Sequence, residues 1–202
     1  TINSGIKKSI GEILIIPDGD IIVPEDFLTK VEKIFNNSSP NLVCYFRRWD
    51  EPKEKHCEKS YDIKYLEESC ELRNMTNYGG CFAIRRDVFE EIGFYEEHEV
   101  FLGPGANGME LYKRFRNKGL QIMWSDIKVY HPFHSFTGSS DKVSQDLIIA
   151  SKVHNWINPY MGLKQSWVLK QRDQYLDWKA NDKSIDLYLK NLHPLRFYLP
   201  QK

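Results

Sequence analysis

Apolar positions change their period several times along this chain. Ile13, Leu14, Ile15 and Ile16 form a short, continuous run rich in β-branched residues, which suits a strand buried on both faces of a largely parallel sheet. Pro17 then ends ladder donation. From Pro24 to Phe35 the period becomes helical, with Phe27, Leu28, Val31, Ile34 and Phe35 on one face and Pro24 and Glu25 at the start. "NLVCYFRRW" reads as a second strand. The interval from Asp50 to Asn77 is charged and poorly periodic, apart from a short helix around Tyr65 to Leu72, and reads as an excursion over the surface. Gly79-Gly80 precedes a strand "CFAIRR"; a helix begins at Asp87 with Val88, Phe89 and Ile92 inward, and Gly93 ends it. A glycine-rich loop, a basic amphipathic helix "MELYKRF" and a strand ending in His131 follow. Beyond Ser135 two helical stretches are broken by Asn158-Pro159 and Gly162, before an extended tail. Trp167 and Trp178 lie about three helical turns apart, on one face.

This alternation predicts an α/β fold with a mixed, mostly parallel sheet flanked by helices and a carboxyl-terminal helical appendage. The domain reading is 1–142 for the α/β part and 143–202 for the helical extension. Asp18-Gly19-Asp20 falls where a buried strand emerges, and in open α/β sheets ligands bind at that edge. The alternative reading of the same residues is a plain Asp-Gly turn.

Composition narrows the classes. With 202 residues, 41% hydrophobic and 13% aromatic, the chain is long enough to bury a sizeable core. Lys and Arg number 28, matching 28 Asp and Glu, so the charge balance carries no basic excess for nucleic acid. No apolar run has the length of a transmembrane segment, and the first residues do not form a signal peptide. The expected compartment is the cytoplasm, with a membrane surface or the secretory lumen as alternatives. Cys44, Cys57, Cys70 and Cys81 contain no CxxC pair, which argues against a zinc ribbon and for lone buried thiols.

The ordered motifs "NSGIKKSIGEILIIPDGD", "GGCFAIRRDVFEEIGFY", "GPGANGMELYKRF" and "VYHPFH" resemble the nucleotide-sugar glycosyltransferases of the GT-A (Rossmann-like) fold. The likeness is to the large family-2 group and to the carboxyl-terminal region of β-1,4-galactosyltransferases, and it runs from about Asn3 to Ser135. It implies transfer of a sugar from a UDP- or GDP-sugar donor to a hydroxyl of a glycan or polysaccharide acceptor, with Mn²⁺ or Mg²⁺. The Asp-x-Asp motif then implies metal binding by Asp18 and Asp20, chiefly by Asp20, with Asp18 nearer the ribose or bridging through water. A further metal ligand is expected from His131 or His134, and imidazole beside carboxylates favours Mn²⁺. Gly79 and Gly80 would let the backbone approach the donor sugar, a tight turn being the alternative.

Two departures from the family pattern follow. Asn107-Gly108 stands where an acidic pair is expected, leaving Glu110 as the candidate general base; its other reading is a helix-terminal acid. The βα units that recognise the nucleotide base in such enzymes are also absent ahead of Thr1, so a fragment or an omitted upstream segment is expected. The alternative functions are a non-catalytic glycosyltransferase-like module that has lost its base, and a lectin-like protein. The aromatic stripe of the extension allows core packing or a homo-oligomer contact.

Overall fold

The computed structural model describes residues 2–95 and 106–134. The 142/143 boundary, the helical extension, Trp167 and Trp178 lie outside the described residues. The chain divides into two compact units. One comprises Ser9–Glu91 and Lys118–Phe136, and the other includes Thr1–Lys8 and Ile92–Asn117.

The first unit is built on a four-stranded sheet of β1 (Ile13–Pro17), β2 (Leu42–Asp50), β3 (Cys81–Arg85) and β4 (Gln121–His131), ordered β1-β3-β2-β4. β3 pairs antiparallel with both β1 and β2, and β2 pairs parallel with β4. Strands β1, β2 and β4 therefore run the same way, with β3 inserted against them. The sheet is mixed and parallel in most of its strand directions, but only one of its hydrogen-bonded ladders is parallel.

Helix α2 (Phe27–Asn36) covers one face. Phe27, Val31 and Phe35 recur at four-residue intervals and pack on Leu42, Cys44, Phe46, Cys81, Ala83 and Val129. Burying each such side chain contributes about 1.5–3 kcal/mol. Leu28, expected on that face, is 66% exposed, because a helix turns one residue past Phe27 away from the sheet. On the sheet's other face Tyr45 and Phe82 lie 5.5 Å apart, and Phe82 meets Phe89 of α4 (Arg86–Ile92) edge-on.

The charged excursion after β2 is anchored at both ends. Backbone hydrogen bonds in both directions join Asp50 and Glu71 at 2.9 Å. Within it, α3 (Ile63–Ser69) is capped by the Asp62 carboxylate, which accepts from the N–H groups of Lys64 and Tyr65. Its Leu66 and Cys70 pack with Tyr130, backed by Trp49 and Ile22. All four cysteines are free thiols; Cys44, Cys70 and Cys81 are buried, while Cys57, expected to be buried, is exposed.

In the second unit α1 (Ile2–Lys8) is tied to Tyr95 by a reciprocal pair of hydrogen bonds from Asn3. Helix α5 spans Ala106–Asn117. It begins before the expected Met109, so Ala106-Asn107-Gly108 is helix, not loop. Gly93 has φ +91°, the left-handed conformation expected of a helix-ending glycine.

Candidate metal and donor site

Because β1, β2 and β4 share a direction, their carboxyl ends gather on one edge of the sheet. A break in the β2–β4 register, from Phe46↔Ser125 to Arg48↔Val129, shifts the pairing so that Asp50 faces His131 as its ladder partner. The chain leaving β1 is drawn to the same edge: the Asp18 N–H donates to the Gly80 carbonyl at 2.8 Å, and Ile22 exchanges two 2.8 Å hydrogen bonds with Tyr130. Asp20, between these anchors, is carried against the end of β4.

There Asp20, His131 and His134 converge. Asp20 Oδ2 lies 3.1 Å from His134 Nε2 and 3.3 Å from His131 Nε2, and the two Nε2 atoms are 3.2 Å apart. Adjacent ligands held about 2.1 Å from one octahedral cation stand about 3 Å from each other, so this trio has the spacing of one coordination sphere. The carboxylate oxygen suits Mg²⁺ or Mn²⁺, and of these two the imidazoles favour Mn²⁺. The residues fit the implied group.

The partner of the other His131 nitrogen selects its tautomer. Nδ1 is 3.0 Å from Asp50 Oδ1, so an Nδ1–H donates to that carboxylate and the Nε2 lone pair faces Asp20. The Asp50 hydrogen bond raises the His131 pKa against the opposing effect of burial. For Asp50 itself, burial favours the neutral acid, but His131 and the Arg48 guanidinium, 2.9 Å away, outweigh it and hold its carboxyl below the usual range. Burial likewise works against ionising Asp20, and the charge of His131 with hydrogen bonds from both histidines lowers its pKa overall. Asp18 differs: crowding by protein and the charge of Asp20 push its carboxyl up to about 6.

Gly79 and Gly80 lie beside this edge. Their N–H groups both donate to Asn77 Oδ1, at 3.2 and 3.0 Å, and Gly80 in turn accepts from Asp18. A Cβ on Gly80 would stand 3.1 Å from Asn77 Nδ2, whereas one on Gly79 would meet nothing nearer than 3.8 Å. The close approach of the Asn77 side chain thus explains Gly80, whereas Gly79 has room for a Cβ.

Glu110 lies in the other unit. It is 1% exposed, and its two oxygens accept from Arg114 Nε at 3.0 Å and from Nη2 at 2.5 Å. Arg114 Nη1 also donates to the carbonyls of Ile92 and Phe94. Glu110, the expected general base, is thus held in a buried ion pair, a geometry that fits its alternative reading as a structural helix acid.

Sequence reasoning missed Asp50, Arg48, Glu51 and Asn77. The first three are charged residues that follow the apolar run of β2, at the same edge as Asp-x-Asp, and that position was the available signal. Asn77 precedes the two glycines at the spacing of an Asx turn.

Asp20 of the Asp-x-Asp and a histidine pair thus lie together at the edge where the parallel strands of this mixed sheet end. Residues 1–93 match the family model "Glycosyl transferase family 2". Two solved structures are also similar. One is titled "Crystal structure of GalNAc-T7 with UDP, GalNAc and Mn2+", at 16% identity and TM-score 0.47, covering 98% of this chain and 43% of that one. The other is the mannosyltransferase PcManGT from Pyrobaculum calidifontis in complex with GDP-Man and Mn2+, at 11% identity and TM-score 0.43, covering 98% and 66%. The chain thus spans only part of each of these proteins, and at such TM-scores the likeness is loose. Among the described residues no helix is long and apolar enough to cross a membrane.

Proposed function

We propose that this chain takes part in transferring a sugar from a UDP- or GDP-sugar to a hydroxyl of a glycan or polysaccharide acceptor, using a divalent cation, Mn²⁺ or Mg²⁺, held by Asp20, His131 and His134. The observation that carries this reading is the convergence of those three donor atoms at the carboxyl edge of the sheet. A cation there would neutralise the diphosphate and stabilise it as a leaving group. Asp50 fixes His131 with its Nε2 lone pair toward Asp20. Asp18, beside Asp20, would accept from a ribose hydroxyl or a bridging water. Gly79 leaves room for the donor sugar to approach the backbone.

A second reading, a glycosyltransferase-like module without its own base, is favoured by Glu110 being committed to Arg114. Transfer assays with UDP- and GDP-sugars separate the two: turnover by the wild type supports the enzyme, and turnover gained only by Gly108→Asp supports the module. For the site itself, Mn²⁺ titrated into the full chain should bind, and Asp20→Ala should weaken binding at least ~10-fold with the fold intact. Equal affinity in the two proteins would remove the metal role.

A further inference from the structure

We infer that Glu51 is a positioning residue that shapes the cation site by fixing the turn between His131 and His134, an inference that rests on the metal reading above. Glu51 follows the last residue of β2 and is 2% exposed. Its backbone N–H donates to the His131 carbonyl at 2.9 Å, and its carboxylate Oε2 accepts from the Phe133 N–H at 2.8 Å. One residue therefore grips the chain on both sides of Pro132, which has no N–H of its own to offer.

The turn must bring His134 back against His131, with their Nε2 atoms 3.2 Å apart. The Glu51 carboxylate, from outside this segment, holds the Phe133 N–H that lies between the two histidines.

A carboxylate so deeply buried persists only when its oxygens are well supplied with donors. Two more come from the excursion: the Ser60 hydroxyl donates to Oε1 at 2.6 Å, and His56 Nδ1 lies 3.0 Å from Oε2. The His56 ring also meets Phe133 edge-on at 5.6 Å. The excursion after β2 thus buttresses the carboxylate, and the carboxylate holds the ligand-bearing turn. This gives the 52–62 segment a purpose that its poor periodicity concealed.

The test compares Mn²⁺ affinity, by electron paramagnetic resonance of free Mn²⁺, and melting temperature in the full chain and three variants. Glu51→Asp keeps the charge but withdraws the acceptor by one methylene; it should weaken Mn²⁺ binding ~10-fold or more, as losses of outer-shell partners do. Glu51→Gln removes the charge but keeps an oxygen for the Phe133 N–H, and should recover most of the affinity. Ser60→Ala removes one donor but leaves the Phe133 hydrogen bond, and should lower the melting temperature while weakening Mn²⁺ binding clearly less than Glu51→Asp does.

If Gln loses affinity and Asp keeps it, Glu51 acts by charge and positioning is overturned. Equal affinity in all variants, equal loss in Asp and Gln, or a loss in Ser60→Ala matching that in Glu51→Asp would overturn it too. A wild type that binds no Mn²⁺ is a different result, because it sinks the metal reading itself.

Discussion

His131 and Asp50 meet at the shared carboxyl end of two parallel strands, Nδ1 to Oδ1 at 3.0 Å, as ladder partners brought into register by the break between Phe46 and Arg48. The contact fixes both the tilt of the imidazole and the nitrogen that carries its proton. Asp50→Ala is therefore expected to lower Mn²⁺ affinity ~10-fold or more, read by calorimetric titration, while Asp50→Asn, whose amide oxygen still accepts from Nδ1–H, loses less. Unchanged affinity in Asp50→Ala would show that the contact does not govern the site.

The two adjacent glycines are expected to respond differently. Gly80→Ala drives a Cβ to 3.1 Å from the Asn77 amide, the group that holds the turn, and should cost about 1–2 kcal/mol in urea unfolding. Gly79→Ala should leave stability unchanged, since its Cβ would meet nothing nearer than 3.8 Å. If Gly79 faces the donor, Gly79→Ala weakens UDP- or GDP-sugar binding without a change in unfolding midpoint. Full donor affinity would make it a plain turn glycine.

Which parts of this architecture the sequence disclosed follows from how local each signal is. The Ile13–Ile16 run, the α2 stripe and the Gly93 stop each depend on neighbours within a few positions, and all three elements form. The apolar face expected of the helix is nevertheless too wide, because pattern alone does not reveal that Leu28 is exposed. That Asp20 and the two histidines come together was legible from motif order. Asp50 was not, because its role depends on a register shift between strands far apart in sequence. Glu110 illustrates the converse: its partner Arg114, one helical turn away, was visible, but the burial that makes the pair structural is a tertiary fact.

Thiol chemistry should separate the four cysteines. Burial pushes the Cys44 and Cys81 thiols up to about 12 and Cys70 up to about 11. Native protein at pH 8 should therefore give one fast thiol with a disulfide reagent, Cys57, and four in urea. The folded pKa values exceed the ordinary value of 9.0, so the unfolded chain releases these protons first as pH rises. The stability linked to the three thiols is fully present below pH about 9 and is lost as pH climbs through the folded values. Cys44→Ser and Cys81→Ser should each reduce the alkaline loss; more than one fast thiol at pH 8 would contradict the burial.

Glu110 gives the sharpest division between a structural and a catalytic carboxylate. Its charge is matched by Arg114 one turn along α5, with both residues 1% exposed. Arg114 also satisfies the carbonyls of Ile92 and Phe94, on either side of the left-handed Gly93. Replacing Glu110 by Gln leaves a guanidinium buried without its counter-charge, and breaking such a pair costs about 3–5 kcal/mol. Glu110→Gln should thus unfold at markedly lower urea, and so should Arg114→Met. The two losses should be less than additive in the double variant, because neither charge is then stranded. Turnover per folded molecule, measured below the unfolding transition, should stay near that of the wild type. Unchanged stability with turnover reduced ~10²-fold would reverse the assignment and return Glu110 to the role of general base.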